Sequence, residues 1–131
     1  MMKRFTPLAA ALAFGLAPLA APAAPPEETR NCFASGTSWQ GWNAAESGDV
    51  LYLRMQGGTI YRVDLTPGSH VRKWPGHFLV NEVRGSSWIC SALDLDLTLA
   101  DHSGFREALI AVSLRKLTPE EAAAIPGEAR P

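Results

Sequence analysis

The 131-residue chain contains very little recognisable chemistry. It has no CxxC, HExxH or EF-hand spacing, and no Gly-x-Ser-x-Gly motif that would expose a nucleophilic serine. Ser86 and Ser87 fall in a predicted turn without a base beside them, and no carboxylate pair is expected to face across a cleft. We therefore assign no catalytic residue and no cofactor, and an enzyme is the less favoured interpretation.

An excess of basic charge is also missing. The sequence has 12 Lys and Arg residues against 13 Asp and Glu residues. Removing Lys3 and Arg4 with the predicted leader leaves ten basic residues against thirteen acidic ones, a net charge near −3. This balance argues against charge-driven binding of nucleic acid or of an anionic membrane surface.

Long apolar runs are confined to the N-terminus. Two positive residues come before an apolar run over residues 5–20, and Ala21 and Ala23 form a small-x-small cleavage site. Pro7 and Pro18 interrupt the run, which argues against a retained membrane helix. Residues 1–23 are thus predicted to be a signal peptide for export to the periplasm or medium, with no membrane span after its cleavage.

The segment after the leader lacks the large apolar residues that a fold requires. Residues 24–30 are rich in Pro, Ala and Glu, and we interpret them as a linker. Residues 31–126 are predicted to form one small β domain, and residues 127–131 a disordered tail. No internal repeat is visible.

Cysteine is scarce, with only Cys32 and Cys90 in the chain. In an oxidising compartment these two thiols are expected to form a disulfide. Closing a loop of about sixty residues removes about 4 kcal/mol of unfolded-state freedom in the chain-entropy model. Lipid modification of Cys32 is the disfavoured alternative, because residues 29–31 are not a small, apolar run.

The clearest structural pattern is an alternation of apolar and polar residues over residues 50–65, which predicts a β-hairpin. A three-residue turn at residues 56–58 sets Leu53 opposite Tyr61, so that apolar residues share one face. A two-residue turn would mix the faces. The face predicted to enter the core carries Leu51, Leu53, Met55, Tyr61, Val63 and Leu65. The opposite face carries Arg54, Arg62, Asp64 and Tyr52.

Three later segments complete the predicted elements. Residues 93–99 alternate four leucines with polar residues, which predicts a strand with its leucines inward. Residues 108–114 are almost continuously apolar, which predicts a central strand buried on both faces. Thr118, Pro119 and Glu121 form the start of a short C-terminal helix.

Short strands, frequent turns and one terminal helix predict a mainly β fold. We expect a small antiparallel barrel or sandwich of about five or six strands, with a Greek-key barrel preferred.

Several segments occur in an order that resembles a known family. They are Cys32-Phe33, the tyrosine-bearing hairpin, the Gly-Ser-Ser-Trp-Ile-Cys segment at residues 85–90 and the Leu-Thr-Pro-Glu-Glu segment at residues 117–121. The chain resembles a family of small exported bacterial proteins classed as a domain of unknown function. The resemblance covers nearly all of the chain after the leader, and it implies export, a β-rich fold and the Cys32–Cys90 bridge.

The chain departs from this family at two further cysteine positions. Family members often carry one cysteine just after the hairpin and another before the last strand, but residues 66–74 and 102–109 contain none here. A second bridge is therefore absent. The resemblance implies no activity, cofactor or catalytic residue.

Aromatic residues provide the main binding hypothesis, since four tryptophans are many for a domain of this size. Indoles on loops can stack on sugars or anchor a protein interface. The candidate ligand or partner patch consists of Trp39, Trp42, Trp74 and Tyr52. Core packing is the alternative for Trp39 and Trp42, and Trp88 is expected to lie near the disulfide.

Metal binding is the weaker hypothesis. Asp94 and Asp96 are predicted to lie about 7 Å apart on one strand face, near Asp101 and His102. Outward acids on an amphipathic strand are typical of a solvated surface, so no metal site is assigned. His70 and His77 are interpreted as loop histidines.

The sequence thus favours a non-enzymatic, exported module of the bacterial envelope that binds an envelope protein or a glycan. The alternative is a small metal-binding protein or metal-dependent enzyme using Asp94, Asp96 and His102. A purely structural envelope protein is a third possibility.

Overall fold

The computed structural model describes residues 32–36 and 39–131. The predicted signal peptide and linker lie outside these residues. Within them, nine strands form three antiparallel sheets that make a sandwich-like fold without a closed barrel. The mainly β prediction is confirmed, whereas the preferred barrel does not form.

The strands follow one another in chain order as β1 (Phe33–Ala34), β2 (Trp39–Ala44), β3 (Val50–Met55), β4 (Ile60–Leu65), β5 (Phe78–Asn81), β6 (Trp88–Ile89), β7 (Leu97–Ala100), β8 (Arg106–Leu109) and β9 (Ala111–Lys116). The largest sheet has the order β2-β3-β4-β9, the second has the order β5-β7-β8, and β1 pairs with β6. The strand count exceeds the predicted five or six because β1 and β6 are two-residue strands and one predicted strand is divided.

The hairpin of β3 and β4 has the predicted register. Leu53 is paired with Tyr61, and the backbone N–H of Met55 donates to the carbonyl of Thr59 at 2.8 Å, which closes the three-residue turn. All six residues predicted for the inner face are buried. Their side chains exclude water because period-two alternation sends them to one side of the sheet.

One hydrophobic cluster joins the three sheets. It contains Phe33, Trp42, Leu51, Leu53, Met55, Tyr61, Val63, Leu65, Val71, Ile89, Leu97, Leu99 and Leu109. The predicted Cys32–Cys90 disulfide is present, and it connects the residue before β1 to the residue after β6. The bridge therefore holds the smallest sheet against the shared core.

The C-terminal helix α1 (Pro119–Ala123) begins as predicted. Thr118 Oγ1 accepts from the backbone N–H of Glu121 at 3.2 Å, and Glu121 Oε2 accepts from that of Thr118 at 2.9 Å. This reciprocal pair satisfies two amides that a helix start leaves without partners. No helix in the described part of the chain combines the length and apolar character needed to cross a membrane.

The prediction of a disordered tail at residues 127–131 is wrong. Gly127–Ala129 forms a 3₁₀ turn, and Ala129 is buried. Asn43 Nδ2 on β2 donates to the carbonyls of Glu128 and Arg130, both at 2.9 Å. The segment is ordered by a side chain 85 residues or more away in sequence.

The strand predicted over residues 93–99 forms only in its second half. Residues Ala92–Asp94 make a 3₁₀ turn, because Asp94 Oδ2 accepts from the backbone N–H groups of Cys90 and Ser91 at 2.9 Å. Such local bonds compete with pairing in a sheet. Leu93, predicted to point inward, is 95% exposed.

The single central strand predicted over residues 108–114 is also wrong. The chain bends at the exposed Ile110, so β8 and β9 lie at edges of two different sheets. A bulge opposite Asp64 and Leu65 leaves Val112 exposed as well. A continuous apolar run does not distinguish a strand buried on both faces from one that passes between two sheets.

Gly48 provides a test of the packing between the β2–β3 turn and the loop that joins β4 to β5. Its φ is +79°, and a Cβ there would lie 2.9 Å from the Cα of His70. Gly57, with φ +89°, has open space around it and serves as a control. We expect Gly57→Ala to cost about 1–2 kcal/mol of unfolding free energy from backbone strain alone. Gly48→Ala should cost about 1–3 kcal/mol more, because backbone atoms must move.

Urea unfolding of both variants measures this difference. Equal losses in the two variants would show that the close approach of Gly48 to His70 does not constrain the fold.

Candidate functional site

The four residues of the predicted patch do not form one surface. Trp42 is buried in the core cluster and Trp39 is half-buried against it. Tyr52 lies on the other side of the same sheet, where it packs in a second cluster with Leu117, Ile125 and Ala129. Trp74 alone is largely exposed, at 59%.

Trp74 is presented by the loop between β4 and β5. Val71 anchors this loop, because its side chain is buried and its N–H donates to the carbonyl of Gly48 at 2.9 Å. The next three residues, Arg72, Lys73 and Trp74, are consequently directed outward and are exposed. Loops fixed at a buried residue are a common way to present binding side chains.

A pocket of about 270 Å³ opens beside Trp74. We call it the Trp74 pocket, and its lining comprises Asn43, Ala44, Ala45, Glu46, Arg72, Lys73, Trp74 and Glu128. The C-terminal segment closes one side, since Asn43 holds the carbonyl of Glu128. The pocket therefore combines one indole with cationic and anionic groups. Its lining comes from β2 and the turn after it, from the β4–β5 loop and from the C-terminal segment.

The two cations of this pocket differ in their partners. Lys73 Nζ donates to the carbonyl of Trp42 at 2.8 Å and lies 5.6 Å from the centre of the Trp42 ring. Its amine is thus fixed over the core tryptophan. Arg72 has no ion-pair partner among residues 32–36 and 39–131. The Arg72 guanidinium is therefore available to a ligand.

Sequence reasoning found Trp74 but missed most of the pocket around it. The adjacent Arg72 and Lys73 were a usable signal, because three long side chains follow one another in a loop. Asn43 and Glu128 gave no local signal, since they meet only through the folded C-terminal segment.

The structure does not bring the metal candidates together. Asp96 pairs with Arg84 at 2.6 Å, and the His102 ring lies 5.1 Å from that of Phe78. Backbone hydrogen bonds from Cys90 and Ser91 hold the pKa of Asp94 below its ordinary value. Within the described ranges, no group of three His, Cys, Asp or Glu side chains is placed to hold a metal ion. Asp94, Asp96 and His102 therefore do not converge on one point in the described structure.

The outer face of the large sheet carries a second polar arrangement. Tyr52 on β3, Arg62 on β4 and Arg115 on β9 are successive cross-strand partners. Arg62 donates from Nε and Nη2 to the same Asp64 oxygen, at 2.9 and 2.8 Å. Ser113 donates its hydroxyl to the other Asp64 oxygen.

These contacts set the charge state of Asp64. Burial alone would raise the pKa of this carboxyl, but the hydrogen bonds from Ser113 and Arg62 outweigh it and hold the pKa below its ordinary value. The Asp64 hydrogen bond raises the pKa of Arg62 in turn. Both groups are therefore charged at neutral pH.

Comparisons with protein-family models, with curated proteins and with solved structures found no match for this chain. The resemblance to a family of exported bacterial proteins therefore remains a prediction.

The lowered pKa of Asp64 predicts a pH dependence of stability. The folded-state pKa lies below the unfolded-state value near 3.8, so the stabilisation is present above that value and is lost as the pH falls through the folded-state pKa. Asp64→Asn should remove this part of the acid sensitivity. The effect should be up to about 1 kcal/mol, because the side chain is one-third exposed and water screens the pair.

Urea unfolding at pH 7 and pH 3 measures this difference for the wild type and Asp64→Asn. Glu107→Gln, which removes an exposed carboxylate without an ion pair in the described part of the chain, is the control. An Asp64→Asn variant as acid-sensitive as the wild type would contradict the assignment.

Proposed function

We propose that this protein is an exported, non-enzymatic binding module of the bacterial envelope, and that the Trp74 pocket binds a glycan. The Cys32–Cys90 disulfide supports an oxidising compartment, because such bridges persist mainly outside the cytoplasm. The predicted leader supports export. The resemblance to small exported bacterial proteins favours the envelope.

The observation that carries the proposal is the exposed indole of Trp74 beside a polar pocket. Covering a large apolar surface with a binding partner lowers the free energy, because that surface is removed from water. The C–H face of a pyranose ring is such a partner, because its hydroxyl groups remain free to form hydrogen bonds at the ring edge. Those hydroxyls would find donors in Arg72 and acceptors in Glu46 and Glu128.

A glycan suits this pocket better than an extended protein interface. The pocket is small, only Trp74 among its lining residues is a large apolar side chain, and charged groups of both signs surround it. Interface hot spots instead gather several aromatic or aliphatic anchors in a dry centre. A neutral, hydroxyl-rich ligand uses both the indole and the mixed charges of the rim.

The test is binding of chitotetraose, a neutral oligomer of N-acetylglucosamine, measured by isothermal titration calorimetry on the exported protein with its disulfide intact. We expect Trp74→Ala to weaken binding about tenfold or more, because truncating a central aromatic anchor typically costs at least about 2 kcal/mol. Trp88→Ala is the matched control, since Trp88 is 56% exposed but lies on β6, in the smallest sheet. Its affinity should stay within about twofold of wild type.

Both variants should unfold at nearly the wild-type temperature, because neither tryptophan belongs to the buried core. Binding that survives Trp74→Ala would show that the glycan, if bound at all, uses another surface.

A further inference from the structure

A second pocket lies on the outer face of the large sheet, away from Trp74. It is enclosed by β3, β4 and β9 on one side and by α1 with the residues that follow it on the other, and its volume is about 260 Å³. Tyr52, Arg62 and Arg115 form the polar part, and Leu117, Ile125 and Pro126 form the apolar part. We call it the arginine pocket.

Two arginines from neighbouring strands line the arginine pocket. Arg62 and Arg115 are directly opposite each other on β4 and β9. Like charges in this position destabilise a sheet unless other groups compensate them. Asp64 compensates Arg62, and Glu121 Oε1 accepts from Arg115 Nη1 at 2.7 Å. Each arginine therefore has one carboxylate partner.

The two carboxylates leave donors unused. A guanidinium has five N–H groups, and Arg62 directs Nε and Nη2 to a single oxygen of Asp64. Arg62 Nη1 and Arg115 Nε and Nη2 donate to no acceptor in the described part of the chain. Glu121 is not free to take them, because its second oxygen caps α1 at Thr118. Donors from both arginines are thus available to a further acceptor.

Tyr52 adds a hydroxyl to the same pocket. Its ring is fixed among Leu117, Ile125 and Ala129, whereas its hydroxyl makes no hydrogen bond to any described residue. Tyr52 and Arg62 are cross-strand partners on β3 and β4, and both line the pocket.

The apolar part of the pocket narrows the ligand class. The exposed Pro126 forms an aliphatic wall beside the arginines together with Leu117 and Ile125, which packing holds in place. Inorganic phosphate would leave this wall uncovered, and its second negative charge would be repelled by Asp64 and Glu121. A monoanionic carboxylate on an apolar body satisfies the guanidinium donors in planar geometry and covers the wall.

We propose that the arginine pocket binds a small organic carboxylate, with Arg62 and Arg115 donating to its oxygens, Tyr52 hydrogen-bonding to it, and its apolar body lying against Leu117 and Ile125. The arginine pocket is separate from the Trp74 pocket, because the two pockets share no lining residue.

The test uses hexanoate as the probe in a ¹H–¹⁵N NMR titration of the exported protein with its disulfide intact. We expect saturable binding of hexanoate, with shifts centred on α1 and β9. Hexanol and inorganic phosphate should each bind about tenfold more weakly or worse, because one lacks the charge and the other the apolar body.

Two variants probe the polar contacts. Arg115→Gln should weaken hexanoate binding about tenfold, since charge-assisted hydrogen bonds are lost. Tyr52→Phe keeps the packed ring and removes only the hydroxyl, so a loss of about fivefold is expected without a change in fold. Arg84→Gln is the matched control, because Arg84 also pairs with a carboxylate, Asp96, but lies outside the pocket. It should bind hexanoate like the wild type.

The absence of saturable hexanoate binding would overturn the proposal, as would wild-type affinity in both Arg115→Gln and Tyr52→Phe. Phosphate that binds as tightly as hexanoate would overturn the ligand class. Trp74→Ala should leave hexanoate binding unchanged, so failure of the glycan proposal and failure of this one are distinguishable.

Discussion

The central constraint on this fold is that the β3–β4 hairpin is buried on its inner face and partly covered on its outer face. Alternation sends Leu51, Leu53 and Val63 into the core shared by the three sheets. The C-terminal segment covers the opposite face at Tyr52, whereas Arg54 on the same face is exposed. Its two edges are paired with β2 and β9. The two candidate pockets lie beside the C-terminal segment, which contributes Glu128 to one pocket and Pro126 to the other.

The hairpin was predictable because its information is local. Parity alone selected the three-residue turn and set Leu53 against Tyr61, and both features are present. The start of α1 was predictable for the same reason, since its cap needs only Thr118 and Glu121, three residues apart. The disulfide followed from the presence of only two cysteines in a chain predicted to be exported.

One failure is local as well, and the others depend on contacts that are distant in sequence. Residues 93–99 have perfect alternation, but Asp94 caps a turn with backbone groups just before it, and Leu93 is left in water. The bend at Ile110 and the burial of Ala129 depend on partners far away in sequence. The same holds for the candidate sites, where Trp74 was visible in the sequence but Asn43, Glu128 and the Arg62–Arg115 pairing required the sheet order. Long-range pairing is the information that residue patterns do not carry.

The sheet order also has a consequence for how the domain forms. Strands β2, β3 and β4 are consecutive in the chain and can pair through short loops, whereas β9 joins β4 only after 45 intervening residues (66–110). Local pairing costs less chain entropy, so the three-stranded meander is favoured to assemble before β9 docks. Arg115 and α1 arrive with that last strand. The arginine pocket therefore exists only after β9 and α1 have docked, and a ligand bound there would stabilise the domain with its last strand in place.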